Sequence, residues 1–153
     1  DNELKYILNE NFKNPHMKNI INLAIETGMR RGEILSIKSQ NLMKNYIWLP
    51  DSKNGNPRKI PLSNKAKAIL QESILPFPIS PNAVRLNWNR MIKRSGIHDL
   101  HFHDLRHEAI SRFFEIGLSI PEVSLISGHK DVRQLMRYTH INPEKLAEKI
   151  QSN

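Results

Sequence analysis

The 153-residue chain contains no cysteine, which excludes disulfides and thiolate metal sites. No apolar run approaches the roughly 18–20 residues needed to span a bilayer, and no signal-peptide pattern opens the chain. There is no glycine-rich phosphate loop ending in Gly-Lys-Ser/Thr and no acidic triad of the kind that holds Mg²⁺. Negative charge is in the minority, with 15 Asp and Glu against 23 Lys and Arg, a formal net charge of +8. The first residue is Asp1 rather than methionine, as expected of a piece excised from a longer protein.

A hydrophobic content of 39% beside 25% charged residues suits one globular domain with its own core. The positive excess is uneven. Between Arg30 and Lys67 nine basic residues face two acids, Glu33 and Asp51, and Arg85 to Arg94 carries four basic residues and no acid. Such clustering favours a polyanion. Nucleic acid ranks ahead of an acidic membrane because no basic amphipathic anchor helix stands out. A merely solvated basic surface is the alternative.

Apolar spacing in "MKNIINLAIET" predicts a helix over residues 17–27 that stops at Gly28, with a short helix "RRGEILSI" directly after it. "YIWLPDSK" and "RKIPL" read as strands around an Asn54-Gly55 turn, and a short strand near Asn41–Met43 would complete a three-stranded antiparallel sheet. The remainder reads as helical. Ser63 suits an N-cap for "NKAKAILQES", and "PNAVRLNWNRMIKRSG" runs from proline to glycine. "DLRHEAISRFFEIG" should bury Leu105, Ala109, Phe113 and Ile116. "IPEVSLISG", "DVRQLMRYT" and "PEKLAEKI" close a mainly α domain.

The stretch "HFHDLRHE" at 101–108 concentrates three histidines, an arginine and two acids. A hydrolytic metal centre of the HxHxDH type fits poorly, because the aspartate comes one place early and Arg106 sets a cation beside the ligands. On a helix starting near His103, the side chains of His103, Arg106 and His107 share one face. A first-turn histidine beside a planar guanidinium favours a phosphate grip. The plainer reading has a capping histidine and an arginine paired with Glu108 or another acid. For His107 taken alone, a buried structural imidazole is preferred, and His101 has no assigned role.

"HDLRH", followed by "SGHKDVRQLMRYTH" and preceded by "TGMRRGEIL", resembles the catalytic domain of the tyrosine recombinases, the phage integrase family. The likeness runs over nearly all of the chain. It matches Arg30 in "TGMR", Lys53 in "DSKNGNPRKIPLS", His103 and Arg106 in "HDLR", His129 in "SGHK" and Tyr138 in "RYTH", with Glu33 at the family's structural glutamate. The resemblance implies the DNA breaking-rejoining fold and site-specific recombination through a 3′-phosphotyrosine, with Tyr138 as nucleophile. Two guanidiniums, Arg30 and Arg106, would clamp the phosphate, each charge-assisted hydrogen bond being worth about 1.5–3 kcal/mol. Lys53 would protonate the leaving 5′ oxygen, His129 would donate to a phosphate oxygen, and His103 would orient the phosphate or help take up the tyrosine proton.

It further implies double-stranded DNA as partner, a homotetramer on paired sites, accessory DNA-bending proteins and a last helix packed on a neighbouring protomer. The cell compartment would be the cytoplasm of a bacterium, the gene bacterial or phage-encoded. Neither metal nor nucleotide would be needed. An N-terminal core-binding domain, usual in the family, lies outside this chain, so residues 1–153 would be a single catalytic domain. Arg31, Arg58, Lys59, Arg85, Arg90, Lys93 and Arg94 are candidate DNA contacts. A type IB topoisomerase and a non-catalytic DNA-binding module are the competing readings.

Overall fold

The structure, a computed structural model, describes residues 2–9, 12–50 and 57–153. Eight helices and one small sheet are present among them: α1 (Asn2–Asn9), α2 (Met17–Thr27), α3 (Arg31–Leu35), β1 (Tyr46–Leu49), β2 (Arg58–Pro61), α4 (Asn64–Glu72), α5 (Pro81–Ser95), α6 (Asp104–Glu115), α7 (Ile120–Ser127) and α8 (Pro143–Gln151). None of the described helices is long and apolar enough to cross a membrane.

α2 is the hub because it is buried on nearly every side. Met17, Ile20, Ile21, Leu23 and Ala24 are all buried, and the helix packs on both α6 and α4. Gly28 ends it in the left-handed conformation (φ 71°), where a side chain would be strained. Ser63 and Ser80 cap α4 and α5 through their hydroxyls, accepting from the Ala66 and Ala83 N–H groups. A second, smaller apolar cluster holds Ile110, Val123 and Leu135, with Phe114 and Tyr138 packed against it.

Several expectations need correction. The sheet has two strands, β1 and β2, paired antiparallel with Ile47 opposite Ile60. Where a third strand was expected, Ser39–Asn41 form a 3₁₀ turn and only Leu42 bridges to Ile47. The Asn41 side chain accepts the Lys38 N–H at 2.9 Å, a local bond that competes with strand pairing. Val132–Tyr138 is a 3₁₀ segment rather than an α-helix. α6 buries Leu105 and Ala109 fully, but Ile116 is 73% exposed because the helix stops at Glu115, one residue short of carrying it inward. α1 was not foreseen, although Leu4, Ile7 and Leu8 have helical spacing and Ile7 is buried.

Candidate active site

Arg106 lies in the first turn of α6 and crosses the gap between the ends of two other helices. Its Nη1 donates to the Gly28 carbonyl (2.8 Å) beyond α2, and its Nη2 donates to the Ser127 carbonyl (2.7 Å) at the end of α7. Helix C-terminal carbonyls carry partial negative charge, so they suit a cation. The side chain is buried, and burial together with the nearby Arg30 charge pushes its pKa down to about 10. It stays cationic at neutral pH, and each Nη keeps a second N–H for another acceptor.

Arg30 is the N-cap of α3. Its backbone N–H donates to Glu33 Oε1 (2.9 Å), and its Nη1 lies 3.6 Å from Glu33 Oε2, beyond hydrogen-bond reach. That Nη1 is buried with no hydrogen-bond partner among the described residues. An unsatisfied buried donor of this kind costs about 1–3 kcal/mol, which an oxyanion placed against it would relieve.

Glu33 itself is occupied elsewhere. Arg58, from β2, forks onto both its oxygens (2.7 and 2.8 Å) and sends Nε to the Ile126 carbonyl at 2.9 Å. Arg58 is 6% exposed. The expectation of Arg58 as a DNA contact is therefore corrected: it is a buried tie between β2, α3 and α7. Gly128 (φ 76°) makes room for it, since a Cβ there would stand 3.2 Å from the guanidinium. Burial would raise the Glu33 pKa, but the hydrogen bonds from Arg58 and the Arg30 N–H, with the charges of both arginines, hold it below the usual carboxylate range.

Three imidazoles border the arginines. His129 Nδ1 lies 2.6 Å from Ser127 Oγ and 3.5 Å from Arg106 Nη2. Arginine can only donate, so Nδ1 presents a lone pair and Nε2 carries the hydrogen. Burial, then the charges of Arg106 and Arg30, press the His129 pKa down to about 4, which leaves a neutral donor. His103, at the N-cap of α6, is lowered by burial and by His107, Arg106 and Arg30, against the opposing pull of Asp104. His107 stands edge-on to His103 with ring centroids 5.0 Å apart.

Tyr138 ends the 3₁₀ segment. Its ring is stacked beside those of His107 and Phe114, its hydroxyl is hydrogen-bonded to His107 Nδ1, and Arg137 Nη2 donates to the hydroxyl at 2.9 Å. No three His, Asp or Glu side chains among the described residues converge so as to hold a metal ion.

Residues 2–145 match the profile of the phage integrase family. The chain belongs to that family. It is 42% identical over 148 residues to a shufflon-specific DNA recombinase of Escherichia coli, covering 90% of this chain and 38% of that relative. The catalytic domain of bacteriophage HP1 integrase superposes with a TM-score of 0.79 at 22% identity, over 100% of this chain and 92% of that one. A lambda integrase dimer bound to a COC′ core site gives a TM-score of 0.72 at 22% identity, covering 90% and 56%. The integrase-family chain thus spans about two-fifths of the curated recombinase it matches.

Of the six site residues expected from sequence, Arg30 and Arg106 both bear on His103 and on His129, Arg106 Nη2 lies 3.5 Å from His129 Nδ1, and Tyr138 is bonded to His107, the ring beside His103. Lys53 lies outside the described residues. Lys59, Arg85, Arg90, Lys93 and Arg94 are exposed, and Arg31 is half-buried. Lys59 sits over the Tyr46 ring (5.1 Å), and Arg85 donates to Asn82. His101 turns out to close the turn before α6, its N–H donating to Asp104 Oδ2 at 2.7 Å. Sequence reasoning missed Arg137 and Ser127 and misread His107, which is half-buried and bonded to Tyr138 rather than a buried packing group. The signal was present: His107 falls four residues after His103, on the same helix face.

Proposed function

We propose that this chain is the catalytic part of a longer tyrosine-type site-specific recombinase that cleaves and rejoins double-stranded DNA by transesterification. Tyr138 Oη attacks a backbone phosphorus and forms a 3′-phosphotyrosine, and a 5′-hydroxyl end leaves. Arg30 and Arg106 neutralise the charge gathering on the non-bridging oxygens, and His129 donates a neutral N–H to one of them. His103 orients the phosphate or helps take up the tyrosine proton. Lys53, placed by sequence between β1 and β2, protonates the departing oxygen. The reaction draws on neither metal nor nucleotide.

One observation carries this reading: the charges of Arg30 and Arg106 bear on the same two histidines, His103 and His129, and on each other. The Arg30 charge works against the Arg106 charge, and an anion placed against the unmatched, buried Nη1 of Arg30 would relieve both. The exposed basic residues Lys59, Arg85, Arg90, Lys93 and Arg94, with Arg31, would lie along the DNA backbone. The wider assembly is a homotetramer on paired sites in the cytoplasm of a bacterium, helped by DNA-bending proteins, with an N-terminal core-binding domain beyond this chain. Ile141, Leu146 and Ile150, exposed on and before α8, are the surface a neighbouring protomer would cover.

The direct test is a nicked suicide duplex, run on a denaturing gel after incubation with the full-length protein; absence of any covalent species rejects the reading. Arg106→Lys should cut cleavage by roughly 100-fold or more while phosphate-driven DNA affinity changes little, because one ammonium cannot fork between two carbonyls and a phosphate. Lys53→Ala should slow cleavage by about 10²–10⁴-fold, with most of the rate restored on a 5′-bridging phosphorothiolate whose sulfur leaves without a proton. Failure of that rescue would remove Lys53 as the acid.

A further inference from the structure

The hydrogen-bond triangle around the Tyr138 hydroxyl has only one consistent arrangement of protons. Arg137 Nη2 contacts both Tyr138 Oη (2.9 Å) and His107 Nδ1 (3.2 Å), and a guanidinium can only donate. Nδ1 must therefore carry a lone pair, with the imidazole hydrogen on Nε2. The phenol accepts from Arg137 and has its own hydrogen left, and the acceptor bonded to it is His107 Nδ1. We infer that His107 is the catalytic base that receives the Tyr138 phenol proton. This rests on the reading of Tyr138 as nucleophile.

The step balances without an added reagent. The Tyr138 O–H bond breaks as an oxygen lone pair forms the bond to phosphorus, and the proton moves to His107 Nδ1. The bond from phosphorus to the 5′ oxygen breaks with its electron pair, and that oxygen takes a proton from the general acid. In the reverse reaction imidazolium returns the proton to the departing phenol. Arg137 serves the same end, since its guanidinium, 4.9 Å over the ring, donates to Oη and holds the hydroxyl beside His107 Nδ1.

The charged and titratable groups around His107 suit a base that is empty at neutral pH. Arg137 and Tyr138 face it from the 3₁₀ segment, His103, Asp104 and Arg106 from its own helix, and His129 lies within electrostatic range. Burial first, then Arg137 and Arg106, lower its pKa, with Asp104 opposing. Packing alone would not need Nδ1 turned toward the Tyr138 hydroxyl.

Two measurements on the full-length protein test the assignment. In ¹⁵N-histidine spectra of the free wild-type protein, His107 should show an unprotonated Nδ1 and a protonated Nε2; a hydrogen on Nδ1 overturns the inference. In single-turnover cleavage of nicked suicide duplexes built from the DNA flanking its own gene, His107→Gln should lose about 10²–10⁴-fold at pH 7. Glutamine can hold the hydroxyl but cannot take its proton, so the variant's rate should climb about tenfold per pH unit as hydroxide takes over the role, while the wild type stays flat above the histidine range. A His107→Gln rate within threefold of wild type, or a parallel pH profile, overturns the inference and leaves Tyr138 as nucleophile. Absence of a wild-type adduct rejects the nucleophile and the base together.

Discussion

Tyr138→Phe should leave no covalent protein–DNA species on a denaturing gel while DNA affinity stays within about twofold of wild type, because affinity comes mainly from phosphate contacts elsewhere. Phenylalanine keeps the ring that stacks beside His107 and Phe114 and packs on the cluster of Ile110, Val123 and Leu135. It loses one oxygen, the atom proposed to bond to phosphorus. The hydroxyl's partners, His107 and Arg137, are half-buried and exposed, so water can replace the missing bonds. The fold should survive and the chemistry should not. A surviving adduct would show that another side chain attacks.

The second large effect concerns stability. Arg58→Met should destabilise the domain by about 3–5 kcal/mol in denaturant unfolding at pH 7, because it strands the Glu33 carboxylate in the interior. Arg58 and Glu33 are 6% and 5% exposed, so water cannot take the lost partner's place. The pH dependence identifies the cause. In the wild type the folded Glu33 pKa lies below its unfolded value of about 4.3, so its contribution is complete above that pH and is lost as pH falls through the folded value. In Arg58→Met, burial is no longer outweighed and the folded pKa rises above the unfolded one. Stability should then increase as the pH is lowered through that raised pKa. Adding Glu33→Gln should recover much of the loss at pH 7, since a neutral amide removes the stranded charge and can still accept the Arg30 N–H. A variant that destabilises equally at every pH would point to lost packing instead.

Helices α2, α4, α5 and α7 were legible because their stop and start signals are local: Gly28, Ser63, Pro81, Gly96 and Gly128 act on backbone within one turn. The third strand was not legible, because side-chain bonding by Asn41 decides a segment too short for periodicity to speak. The site followed the same division. Arg106 and His103 could be placed on one helix face from spacing, and Arg30, His129 and Tyr138 entered through family likeness. What spacing could not give was the assignment of partners across the chain. Arg58 reads as one more basic residue until Glu33 is found against it, and His107 reads as packing until Tyr138 arrives from 31 positions away.

The seating of Arg106 has a consequence for biosynthesis. Its two carbonyl partners belong to residues 78 positions upstream and 21 positions downstream. Neither α6 alone nor any single stretch emerging from a ribosome can hold the guanidinium in place. The guanidinium therefore reaches its seat only once the termini of three separate segments have met, so a nascent polypeptide that stops short of Ser127 already carries Arg106 but cannot fix it in place.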